Sequence, residues 1–172
     1  MVGRAEAVTE RLLCRRPAGA VADEYERLFT DPAVEAWLRP DPMRPFSRPD
    51  LERMARRDIA HWSEHGFGPW EVREREGGAF VGRGGLNRTV VGGETAVELP
   101  WAVMPAFQRR GYATEMARAA IGVASEVGLD RVVSLTLPSN VASRRVMERC
   151  GLRFAGEIQH VGLPHVLYEL TL

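Results

Sequence analysis

The chain contains no lysine; all 23 of its basic residues are arginine. A Schiff-base lysine and the lysine of a phosphate-binding loop are therefore both excluded. Cysteine is nearly absent as well. The 2 thiols among 172 residues, Cys14 and Cys150, form no disulfide framework of the kind that holds small secreted folds together. No stretch approaches the ~18 consecutive apolar residues that a membrane-spanning helix requires, so no membrane partner is expected. Nor is there an excess of either charge: 23 Arg against 23 Asp and Glu give a net charge of zero. Neither half of the chain is a basic arm, so no nucleic-acid partner is expected. Met1 to Arg11 mixes acids with bases around no apolar centre, unlike a signal peptide, and points to a cytoplasmic location.

What is present suffices for a core. Hydrophobic residues make up 45% of the chain, and a single domain of this length buries roughly 70% of its unfolded surface. Thr9 to Cys14 reads as a short strand. Ala20 to Leu38 reads as helix, broken at Asp31-Pro32, and four prolines make Arg39 to Pro49 a loop. Leu51 to His65 is a second helical stretch, with Ser47 or Asp50 as its cap and Gly66 at its end. Its two histidines, His61 and His65, read as ordinary surface positions.

After Gly68 the hydrophobic period falls to two. Trp70–Val72 and Phe80–Val81 suggest a hairpin, and Leu86 to Val91 with Thr95 to Val103 a further strand pair around Gly92-Gly93. Thr114 to Val127 reads as a long helix and Arg131 to Leu137 as an interior strand. Val141 to Cys150 is a helix opened by Ser139 or Asn140, and Arg153 to Val161 and Val166 to Leu172 are the last strands.

The most informative segment is Glu98 to Ala113, ELPWAVMPAFQRRGYA. A strand ends near Val103, and a basic bend leads through Gly111 into the long helix. The first turn of a helix has backbone N–H groups without intrahelical partners, and a glycine there lets a ligand approach them. With Arg109 and Arg110 alongside, the segment suits a diphosphate. A helix start with merely exposed arginines is the alternative.

Gln108-Arg109-Arg110-Gly111-Tyr112-Ala113 matches the Q/R-x-x-G-x-G/A signature. Asn140, Ser143, Glu148 and Gly151-Leu152 follow in a strand–helix context, 27 to 39 residues after Ala113. On these residues the chain resembles the GCN5-related N-acetyltransferase (GNAT) superfamily, in the branch of the ribosomal-protein N-terminal acetyltransferases. The resemblance runs from about Thr9 to Leu172. It implies one N-acetyltransferase domain over 9–172, with 1–8 as an N-terminal tail. The fold expected is mixed α/β: a central, mostly antiparallel sheet with a splayed parallel strand pair, flanked by helices.

The same resemblance implies acetyl-coenzyme A as cofactor. Its pantetheine arm would lie between the strands ending at Val103 and Leu137, along Trp101, Ala102 and Val103. Its diphosphate would lie on Gln108, Arg109, Arg110, Gly111, Tyr112, Ala113 and Thr114, with Asn140 and Ser143 on the far side. The acceptor would be a primary amine, of a small molecule or a peptide N-terminus, and homodimers are common among the resembling proteins.

Acyl transfer to an amine needs a base, an oxyanion donor and a group to receive the thiolate's charge. Glu98, the single carboxylate in AVELPWAV, is the candidate base, and a solvent-facing glutamate is the alternative. A backbone N–H at the splay, near Val103, is the candidate oxyanion donor. Many relatives carry a tyrosine seven residues after the asparagine; here that position is Met147. Ser143 is the substitute, unless it is only a helix-surface hydroxyl, and Tyr112 and Tyr168 are further donors to consider. A catalytically silent acyl-coenzyme A sensor and an unrelated phosphate binder are the competing functions.

Overall fold

The computed structural model describes residues 6–172. Two five-stranded sheets carry five helices among the described residues. Sheet A runs β1 (Glu6–Val8), β2 (Leu12–Arg15), β3 (Pro69–Glu74), β4 (Phe80–Gly85), β7 (Ala102–Val103), all antiparallel. Sheet B runs β5 (Asn87–Val91), β6 (Glu94–Glu98), β8 (Arg131–Thr136), β10 (Leu163–Thr171), β9 (Arg153–His160). Within it only β6 and β8 are parallel. The mixed α/β architecture expected from the sequence is therefore present. Strand β1 includes Glu6–Val8, which the sequence reading leaves in the tail; residues 1–5 lie outside the described residues.

The helices are α1 (Val21–Phe29), α2 (Pro32–Leu38), α3 (Arg48–His65), α4 (Tyr112–Glu126) and α5 (Val141–Arg149). Local chemistry sets their ends. Asp31 caps α2 by accepting from Ala33 N, with Pro32 beside it at the start of the helix. Ser47 and Asp50 form a reciprocal capping box on α3, and Gly66, at φ 72°, closes that helix in the left-handed region. Asn140 caps α5.

Side-chain alternation along the strands sorts the core into two faces. Leu12, Cys14, Trp70, Val72, Val103, Val97, Leu99 and Val132 pack with Met116, Ala120 and Met147 of α4 and α5. Phe80, Ala102 and Met104 point the other way, into a cluster with Tyr25, Leu28, Leu51 and Ala55 of α1 and α3. Cys14 is fully buried, and burial pushes its thiol up to about 12. Trp62, Phe67 and Trp70 are core residues, whereas Trp37 is exposed.

His61 departs from expectation. It is buried rather than on the surface, with Nδ1 against Phe67 O at 2.8 Å and Nε2 accepting from Arg88 N at 2.8 Å. This fixes the neutral tautomer with the proton on Nδ1.

The junction of β4 with β7 leaves no room for a side chain at Gly82. A Cβ there would fall 2.1 Å from Ala102 O. Gly82→Ala is expected to push β7 away and cost about 1–3 kcal/mol, read by thermal melting.

Candidate active site

The sequence reads Thr95 to Val103 as one strand, but the structure divides it. β6 stays beside β8, with the Glu98–Val133 pair, Leu99 N donating to Val133 O at 2.7 Å and Ser134 Oγ donating to Leu99 O at 3.0 Å. Past Pro100 the chain leaves β8. β7 joins sheet A through Gly82–Val103 and Arg83–Ala102, while the end of β8 stays with β10. Proline cannot donate to a ladder, so Pro100 suits the break. The two parallel strands thus diverge into a wedge. Met104 N bonds Val81 O at 2.9 Å, so backbone alternation turns the groups of Val103 away from β4, toward the wedge. There Val103 O accepts from Gln108 Nε2 at 3.0 Å.

At the wide end of the wedge stands the start of α4. The amides of Arg109 to Thr114 donate to no acceptor among the described residues. Arg109 has φ 62° and Gly111 φ 83°, so left-handed residues alternate with Arg110 in a nest of N–H groups. Gly111, Arg109 and Arg110 are exposed, and a left-handed arginine is a costly conformation that functional sites tolerate. Amides without acceptors, a glycine and two cations are the donor set that a diphosphate requires, so the residues fit that group.

Glu98 points to the face opposite α4, because its neighbours Val97 and Leu99 face the α4 core. It is half-buried and lies directly across from Asn87 on β5, whose side chain favours its ionised form. Burial raises its pKa above the usual carboxylate range, against the opposing pull of Arg83, Asn87, Arg57 and His165. Arg83 is itself buried, forking onto Asp58 at 2.6 and 2.8 Å, and Asp58 also accepts from Tyr25 OH at 2.8 Å. A cavity of about 250 Å³ between α3 and β5, lined by Arg57, His61, His65 and Asn87, adjoins Glu98 through Asn87. A second, of about 290 Å³, lies at the far end of β6 and β8, away from the wedge.

The remaining expected residues fall as follows. Trp101 and Ala102 are half-buried beside the wedge. Asn140 is buried, and its Oδ1 accepts from Ser143 N at 3.2 Å. Ser143 is half-buried on the first turn of α5, and its Oγ makes no hydrogen bond among the described residues. Met147 is a core side chain. Tyr168 OH contacts Glu148 and Arg144 at 3.2 Å each, and Tyr112 OH donates to Glu74, so both phenols are held by other groups. No group of three or more His, Cys, Asp or Glu that could hold a metal ion occurs among the described residues.

One contact at this site has no local sequence signature. Glu115, on the first turn of α4, accepts from Thr9 Oγ1 at 2.6 Å, Arg11 N at 2.9 Å and Arg11 Nε at 2.8 Å. Burial alone would raise the Glu115 pKa, but these donors hold it below the usual range. Such a group stabilises the fold above its unfolded pKa, about 4.3, and the contribution is lost as pH falls through the lower folded value. Glu115→Gln is expected to flatten that acid limb of the melting temperature against pH.

The acetyltransferase (GNAT) domain family matches residues 11–153. Among curated proteins, the uncharacterized N-acetyltransferase YnaD of Bacillus subtilis (strain 168) is 37% identical over 65 residues, 37% of this chain and 38% of that protein's length. YkkB of the same organism is 28% identical over 136 residues, covering 76% of this chain and 78% of YkkB. Among solved structures, the acetyltransferase of Agrobacterium tumefaciens C58 superposes with a TM-score of 0.83 at 25% identity, covering 100% of this chain and 97% of that one. The ribosomal-protein-S5-alanine acetyltransferase of Vibrio fischeri (TM-score 0.77, 14% identity, 98% and 97% covered) shares the fold. So does the ribosomal L7/L12 acetyltransferase RimL in complex with coenzyme A (TM-score 0.76, 16% identity, 96% and 97% covered). With the wedge, the amide nest and a family match across most of its length, the chain belongs to the GNAT acetyltransferase family.

Proposed function

We propose that the protein is an acetyl-coenzyme A-dependent N-acetyltransferase acting on a primary amine, with 9–172 as its catalytic domain in the cytoplasm. The observation that carries this is the wedge between β6–β7 and β8, opening beside the unbonded amides of Arg109 to Thr114. The coenzyme A bound to RimL supports the same cofactor here. Acetyl-coenzyme A would supply a thioester carbonyl and a thiolate leaving group.

The chain's own residues do the rest. Amides 109–114, with Gln108, Arg109 and Arg110, hold the diphosphate. Trp101, Ala102 and Val103 line the arm, and Asn140 borders it from α5. Glu98, its pKa raised by burial, takes the proton from the incoming ammonium. Val103 N–H faces the developing oxyanion, and Ser143 Oγ donates a hydrogen bond to the departing thiolate.

The sequence resemblance to the ribosomal-protein branch makes a peptide amino group the acceptor to test first, ahead of small-molecule amines. The test is thiol release from acetyl-coenzyme A against a panel of peptides and small amines, with calorimetric titration of coenzyme A and of adenosine diphosphate. Turnover with tight coenzyme A binding is expected. Binding without turnover would make the protein a sensor, and equal affinity for the two ligands would remove the pantetheine wedge from the account.

A further inference from the structure

The peptide plane between Arg110 and Gly111 is held from a distant part of the chain. Arg11 lies in the turn between β1 and β2, yet its guanidinium reaches the start of α4. Nη1 donates to Arg110 O at 2.9 Å, Nε donates to Glu115 Oε2 at 2.8 Å, and Nη2 lies 2.6 Å from the same oxygen. The guanidinium sits 4.5 Å over the Tyr112 ring. At the glycine itself, a Cβ would lie 3.4 Å from Arg11 Nη2.

In a trans peptide the carbonyl and the following N–H point in opposite directions. Fixing Arg110 O against Arg11 therefore fixes the Gly111 N–H on the other side, pointing away from β2. That constraint matters at this bond, because a glycine offers little steric resistance to rotation of the peptide. Glu115 anchors the other half of the guanidinium fork, so the arginine cannot turn away without losing an ion pair of which Glu115 is only 16% exposed.

We propose that Arg11 is a positioning residue for the cofactor: it locks the Arg110–Gly111 peptide so that Gly111 N–H is aimed at the diphosphate before the ligand arrives. This rests on the reading of the 109–114 amides as the diphosphate site. Ordering the peptide in advance removes its entropy cost from binding. Arg11→Ala leaves the β1–β2 turn attached, since Thr9 Oγ1 and the amide of residue 11 still bond Glu115.

The test is calorimetric titration of the full chain with coenzyme A, alongside steady-state kinetics with acetyl-coenzyme A and with acetyl-pantetheine, which lacks the diphosphate. Arg11→Ala is expected to weaken coenzyme A by about tenfold and raise KM for acetyl-coenzyme A similarly. kcat and the KM for acetyl-pantetheine are expected to hold. Amide exchange at Gly111 is expected to accelerate. Arg11→Lys, which keeps the charge but not the planar fork, is expected to recover little.

Unchanged coenzyme A affinity in Arg11→Ala overturns the positioning role, as does full recovery by Arg11→Lys or an equal loss with acetyl-pantetheine. Failure of the unaltered protein to bind coenzyme A at all overturns the diphosphate reading itself.

Discussion

Glu98→Gln is expected to lower kcat by about two to four orders of magnitude while coenzyme A binding stays within twofold. The substitution keeps the shape of the side chain and its place across from Asn87, but removes the carboxylate proposed to take the amine's proton. The pH profile sharpens the test. A base works only when deprotonated, so activity is lost as pH falls through the Glu98 pKa, and burial moves that limb above the ordinary glutamate range. In Glu98→Gln this limb is expected to disappear from kcat/KM. A variant that retains both rate and limb would make Glu98 a bystander.

Asp58→Ala is expected to cost about 3–5 kcal/mol, which for a chain of this size lowers the melting temperature by roughly 6–20 °C. Asp58 is 1% exposed and is the ion-pair partner of buried Arg83. Its removal leaves a guanidinium without a counter-charge and deprives Tyr25 OH of its acceptor. Replacing Asp58 and Arg83 together by leucine is expected to recover much of the loss, because no charge is then stranded. If the single and double variants melt alike, the pair does not determine stability. The single variant carries a second signature. Arg83 no longer spends its charge on Asp58 and acts more strongly on Glu98, so the acid limb should move to lower pH.

Much of the fold was legible because local chemistry decides it. The period of 3.6 and the Ser47 and Gly66 signals placed α3 to within a few residues, and Asp31-Pro32 correctly separated α1 from α2. The stretch 95–103 was read as one strand because its apolar residues alternate without pause. Its division between two sheets depends on where β4 and β8 lie, and the splayed pair was implied by the family resemblance rather than by the local pattern. His61 was misread for a related reason: a polar residue on a helix looks solvent-facing unless the distant groups that bond both ring nitrogens are known. The nest residues 108–114 stood out through their glycine and arginines. Arg11, 104 positions from Glu115, did not.

Glu98 lies on the face of β6 opposite the one that α4 covers. In the proposed reaction the acyl donor and the amine then have separate approaches, and neither needs to vacate its place before the other arrives. Initial-velocity plots should intersect rather than run parallel. Added product coenzyme A should compete with the acyl donor, while leaving the amine to be overcome only in part at saturation.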